Sequence, residues 1–63
     1  MNKFIELEKE LYKNLFRYGT ILADFSIEDS SSDQHRVRVF KLANKNYWLY
    51  QRNGEAVEII ELA

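Results

Sequence analysis

Tyr47-Trp48-Leu49-Tyr50-Gln51-Arg52-Asn53-Gly54-Glu55-Ala56-Val57-Glu58-Ile59-Ile60 decides the architecture. Two runs rich in aromatic and β-branched residues flank an Asn-Gly pair. Asn and Gly both tolerate the positive φ of a type I′ turn, so this pair marks a hairpin. The turn implies a register with Arg52 opposite Glu55, Tyr50 opposite Val57, Trp48 opposite Ile59 and Tyr47 opposite Ile60. Upstream, Ala43-Asn44-Lys45-Asn46 reads as a second turn, setting Leu42 opposite Tyr47, Phe40 opposite Leu49 and Val39 opposite Tyr50. Residues 35–62 therefore read as a three-stranded antiparallel meander, with strands at 35–42, 47–52 and 55–62.

The first half supplies a cover and a fourth strand. Over residues 3–18 the helical period places Phe4, Leu7, Leu11, Leu15 and Tyr18 on one stripe, with Ile5, Tyr12 and Phe16 beside it. Asn2 is positioned as an N-cap, and Gly19 sits where a helix ends in the left-handed conformation. Glu8 projects between the two stripes, a carboxylate at the rim. Residues 20–27 alternate as a strand, with Ile21, Ala23, Phe25 and Ile27 on one side. An acidic, Ser-rich loop follows. One α+β domain over residues 1–63 results, a helix on a four-stranded antiparallel sheet in the order α-β-β-β-β. Whether the first strand pairs with the second or the fourth is open.

Both sheet faces are apolar, and one helix covers only one of them. Aromatic and β-branched cross-strand pairs favour the Val37, Val39, Trp48, Tyr50, Val57 and Ile59 face as the covered one. Phe40, Leu42, Tyr47, Leu49 and Ile60 are then expected to face outward, rimmed by Arg36 and Arg38. Such a patch on a small protein marks an interaction surface. The competing arrangements are a loop or terminus folded over it, or a helix straddling a twisted sheet.

The chain's 63 residues include no Cys, no Pro and one His. That excludes a disulfide framework and a zinc finger. A chain this short buries only about 60% of its unfolded surface, which makes its stability marginal. Glu6, Glu8, Lys9 and Glu10 interrupt any apolar leader, and the longest uncharged runs have six residues (18–23 and 46–51), so neither a signal peptide nor a membrane span is expected. A cytoplasmic location is the expectation, with no cofactor, no metal and no small-molecule substrate.

The net charge of −1 hides a segregation. Residues 20–34 carry four acids and no base, whereas residues 35–52 carry five bases and no acid. Arg36, Arg38, Lys41, Lys45 and Arg52 interleave with Phe40, Tyr47, Trp48 and Tyr50, as in sheets that bind single-stranded nucleic acid. Cross-strand neutralisation is the plainer account. Arg52 lies opposite Glu55, Lys45 near Glu61, and Asp24 borders Arg36 or Arg38 if the first two strands pair.

Catalytic signals are poor. Ser30, Ser31, Ser32 and His35 supply hydrolytic residue types, but on one short loop without a scaffold to aim base at nucleophile. Asp29-Ser30-Ser31-Ser32-Asp33 starts like a calcium loop, yet Gln34 stands at its sixth position and Phe40 at its twelfth. The expectation is a non-enzymatic protein-interaction module, acting through the exposed face or as a homodimer, with single-stranded nucleic acid as the alternative ligand. The lean, Pro-free composition suits a bacterial or phage reading frame. The size matches phage-encoded inhibitors and accessory proteins, anti-CRISPR proteins among them, in size and not in motif.

Overall fold

A computed structural model of the chain describes residues 6–62. Helix α1 (Glu6–Tyr18) is followed by strands β1 (Thr20–Glu28), β2 (Gln34–Leu42), β3 (Lys45–Arg52) and β4 (Glu55–Leu62). The sheet runs β1-β2-β3-β4 with every pair antiparallel, an α+β meander. β1 thus pairs with β2, and β1 and β4 form the two edges. Residues 3–5 of the expected helix, with the cap at Asn2, lie outside the described residues, as do Phe4, Ile5 and the side chain of Leu7.

Turn chemistry sets the hairpins. Asn53 (φ 51°) and Gly54 (φ 87°) are both left-handed, giving the type I′ turn that the dipeptide implies, with Arg52 opposite Glu55. The β2–β3 turn is tighter than its sequence suggests. Ala43 (φ 52°) and Asn44 (φ 65°) alone form it, and Leu42 faces Lys45 rather than Tyr47. Left-handed alanine costs roughly 1–2 kcal/mol, set against a turn whose twist matches the flanking strands. Phe40 consequently faces Tyr47, and Val39 faces Trp48. A two-residue shift preserves faces, because side chains alternate with period two.

A one-residue shift does not. Tyr50 faces Glu58 while Gln51 faces Ala56, so Val57 is the extra residue of a bulge. Beyond it the expected register of β4 is overturned: Leu49 lies opposite Ile59, and Trp48 opposite Ile60. Ile59 moves to the Leu49 face and Ile60 to the Trp48 face. A second irregularity, at Leu22 in β1, sets Ile21 opposite Phe40 and Ala23, Phe25 and Ile27 opposite Val39, Val37 and His35.

The helix covers the face opposite to the one that pair preferences favour. Leu15 of α1 is fully buried with Phe40 and Leu49, at 0%, 1% and 0% exposure, and Leu11, Tyr12, Leu42, Tyr47, Ala56 and Ile59 pack around them. Phe16 meets the Tyr12 and Phe40 rings edge-to-face at 5.0 and 5.1 Å. Pair quality cannot choose between two apolar faces, and the connection bears on the choice more directly. A single residue, Gly19, separates α1 from β1. Its N–H donates to the Leu15 carbonyl at 3.0 Å, and a Cβ there would lie 2.5 Å from that oxygen and 3.3 Å from the Phe40 ring. Gly54 is the glycine with positive φ; Gly19 is not a left-handed cap but a point of close approach. The helix end is pressed onto Phe40, and the Phe40 face becomes the core. These three described side chains alone stabilise by roughly 5–9 kcal/mol on burial.

Candidate functional site on the open sheet face

With α1 on one side, the other side of the sheet carries rows of directly opposed residues. Ile27, His35 and Arg52 form one row; Phe25, Val37, Tyr50 and Glu58 the next; Ala23, Val39, Trp48 and Ile60 a third; Lys41, Asn46 and Leu62 the last. Residues opposite one another project to the same face. Phe25 is 57% exposed, Ile27 66%, Ile60 42% and Leu62 39%, so nothing among the described residues covers this surface. Val37, Val39, Trp48 and Tyr50 are half-buried between these neighbours. The apolar side chains run from edge to edge, and charged residues stand at the margins.

One end is organised around His35. Its Nε2 lies 2.8 Å from Asp29 Oδ2 and its Nδ1 2.6 Å from the Tyr50 hydroxyl. A neutral imidazole protonated at Nε2 satisfies both contacts: Nε2–H donates to Asp29, and the Tyr50 O–H donates to Nδ1. The His35 and Tyr50 rings stack at 5.9 Å and 5°, and Trp48 continues the row at 6.1 Å from Tyr50. Asp29 Oδ1 also accepts the N–H groups of Ser31 and Asp33, at 2.8 and 3.0 Å. Its carboxyl is held below the usual range, chiefly by the hydrogen bond from His35 and then by the Ser31 N–H. Phe25, Ile27, Val37, Trp48 and Tyr50, with Asp29, His35 and Glu58, line a depression of about 510 Å³ here.

The same end is tied across the sheet. Asn53 accepts the Gln34 N–H on Oδ1 at 2.9 Å, donates its own N–H to the Gln34 carbonyl at 2.7 Å, and reaches Asp33 through Nδ2 at 3.2 Å. The Asn-Gly turn thus positions the β1–β2 loop as well as its own hairpin, and that loop delivers Asp29 to His35.

Most of the expected docking residues are elsewhere. Phe40 and Leu49 are core, and Leu42 and Tyr47 pack against them beneath the helix, so these four form no outward patch. Ile60 is exposed, but on the opposite face from the one expected. Arg36 and Arg38 lie on the helix side of the sheet, with Arg38 against the Phe16 ring. The reading from sequence missed Phe25, Ile27, His35, Glu58 and Leu62 as surface partners of Trp48 and Tyr50. The alternation of residues 20–27 held the signal, but only the β1–β2 pairing attaches it to this face.

The basic block is largely neutralised. Arg36 grips Asp24 with both arms of its guanidinium, at 2.9 and 2.8 Å, and this hydrogen bonding is the main reason the Asp24 carboxyl is lowered and Arg36 raised. Arg38 lies 3.8 Å from the same carboxylate and 4.9 Å over the Phe16 ring. Lys45 meets Glu61 at 3.7 Å, and Arg52 bonds Asp33 rather than Glu55, lowering that carboxyl. Lys41 has no carboxylate within ion-pair distance among the described residues.

The acidic loop holds its carboxylates apart. Asp29 turns inward to backbone N–H groups and His35, Asp33 outward to Arg52 and Asn53, and no cluster of three or more His, Asp or Glu side chains able to hold a metal occurs among the described residues. His35 is bonded to Asp29 on one side, as in a hydrolytic triad, but on the other it meets Tyr50 rather than any of the three loop serines. Among the described residues no helix is long and apolar enough to cross a membrane. Comparison with protein-family models, curated proteins and solved structures finds no match for this chain.

Proposed function

We propose that this protein is a non-catalytic interaction module that docks a protein surface through the open face of its sheet. The observation that carries the reading is the uncovered row structure in which Phe25, Ile27, Ile60 and Leu62 stand exposed around Trp48 and Tyr50. Water-facing apolar patches of this extent are costly on a monomer and characteristic of docking surfaces. Aromatic residues at the centre with charges at the margin match the composition of interface cores and rims. A bacterial or phage inhibitor or accessory protein, working in a reducing cytoplasm where cysteine-free chains lose nothing, suits this design.

Single-stranded nucleic acid is the second reading, favoured by the aromatic row of His35, Tyr50 and Trp48 on an open sheet. Charge weighs against it. Arg36 and Arg38 share Asp24 on the other face, and Arg52 and Lys45 have carboxylate partners. The test is a tagged pull-down from a bacterial lysate, with and without nuclease, comparing wild type with Ile27→Asp. A partner retained after nuclease and lost in a folded Ile27→Asp variant supports protein docking. Recovery abolished by nuclease, with binding that falls steeply with salt, transfers the function to nucleic acid.

A further inference from the structure

We propose that the occupant of the open face is a second copy of this chain, the two sheets packing face to face as the middle layers of an α/β/β/α stack. This rests on the docking function and names its partner. The first argument is an imbalance within one chain. Among the described residues, the helix side encloses three fully buried apolar side chains, whereas the open side presents a broad apolar surface with no cover. A domain of this size draws little stability from a single core, and this chain has no cysteine to supply a disulfide. A copy placed on the open face supplies the missing half of a second core, and two-fold pairing does so for both chains at once.

Area and charge agree. Phe25, Ile27, Ile60 and Leu62, with the partly exposed Val37, Val39, Trp48 and Tyr50, present on the order of 500 Å² per copy. A symmetric pair would bury about 1,000 Å² before its rim is counted, the scale at which specific interfaces begin. Sheets pack about 10 Å apart, a spacing that interdigitated Phe25, Trp48, Tyr50 and Ile60 side chains fill. The margins mix signs, Lys41 and Arg52 against Asp29, Asp33 and Glu58, and each chain carries a net charge of only −1, so copies scarcely repel. A nucleic acid, or a strongly charged protein, would find no matching field on this face.

The test is sedimentation equilibrium of the purified chain from about 1 to about 500 µM, the affinity range of small interfaces. Melting temperature is recorded over the same concentrations. Wild type is expected to pass from monomer to dimer, with a melting temperature that rises with concentration. Phe25→Glu, on the open face, should weaken dimerisation at least about 100-fold by placing charge in an apolar interface. Ile21→Glu makes the same change on the same strand but on the helix side, and should leave the dimer intact. If Phe25→Glu fails to fold, the concentration dependence of the wild-type melt still decides the matter. A wild-type chain that stays monomeric, with a concentration-independent melt, overturns the second copy. If that monomer captures a different protein in a Phe25-dependent manner, docking stands with another occupant. If it captures nothing, the docking reading falls too.

Discussion

Gly19→Ala sets two effects of opposite sign against each other, and the geometry says which wins. Replacing a glycine whose φ is not positive normally stabilises by about 0.4–1 kcal/mol, because the unfolded chain has less freedom to lose. At Gly19 the added methyl would sit 2.5 Å from the Leu15 carbonyl oxygen, where ordinary contact begins at 3.4 Å. The oxygen cannot retreat without stretching the 3.0 Å bond from the Gly19 N–H, and the methyl cannot swing away because the Phe40 ring lies at 3.3 Å. Overpacking of this kind costs roughly 1–3 kcal/mol, and loss of the terminal bond adds about 1. The net expectation is destabilisation of about 1–3.5 kcal/mol. For a domain this small that lowers the melting temperature by about 4–8 °C per kcal/mol. Urea titration followed by circular dichroism, at one fixed protein concentration, measures it. Asparagine separates the two glycines. Gly54 has φ +87° with no atom within 4 Å of an added Cβ, so Gly54→Asn costs only backbone strain, which Asn bears better than other side chains, whereas Gly19→Asn clashes as alanine does. A Gly19→Ala protein as stable as wild type would refute the tight helix-to-sheet junction, and with it the role of that junction in covering the Phe40 face.

Two further expectations follow from the faces and from the carboxylates. Leu49→Asp should abolish folding, since a buried charge there has no partner, while Ile27→Asp should shift the stability of the dilute, monomeric chain by less than about 1 kcal/mol; circular dichroism of both at low concentration, side by side, checks which face is core. Asp24, Asp29 and Asp33 are all held below the ordinary carboxylate value of 3.8, mainly by hydrogen bonds from Arg36, His35 and Arg52 respectively. Lowered values mean the folded state favours the ionised forms. Their contribution is complete above the unfolded value and is lost as pH falls through the lower folded values. Thermal melts should therefore lose ground below about pH 4, and Asp24→Asn should flatten that dependence. A melting temperature unchanged from about pH 5 down to about pH 2 would contradict these pairings.

The two charged groups near the β1–β2 loop lie on opposite faces of the sheet. On the helix side, Arg36 and Arg38 share the Asp24 carboxylate, and the Phe16 ring of α1 lies beneath Arg38. On the open side, Asp29 fixes His35, and His35 fixes the Tyr50 hydroxyl at the edge of the apolar rows. The Asn53-Gly54 turn supports the open-side arrangement, since Asn53 binds Gln34 and Asp33 across the sheet.

The sequence alone determined the helix, the four strands and the Asn53-Gly54 turn. Each rests on local chemistry: a 3.6-residue apolar period over Leu11 and Leu15, twofold alternation in the strands, and a dipeptide suited to positive φ. It also located the basic residues whose partners Asp24 and Glu61 are within reach along a meander. The covered face was decided only by tertiary structure. With aromatic and β-branched residues on both sides of the sheet, no local preference separates Phe40, Leu42, Tyr47 and Leu49 from Val37, Val39, Trp48 and Tyr50. A bulge at Val57 exchanges the faces of Ile59 and Ile60 by a single residue, and nothing in Glu55-Ala56-Val57-Glu58 announces it. The close approach at Gly19 arises between a helix and a strand that meet only once folded. Local periodicity determines which residues share a side; the long-range contacts of Leu15 with Phe40 and Leu49 determine which side is inside, and so leave Phe25, Ile27, Trp48 and Tyr50 as the surface available for function.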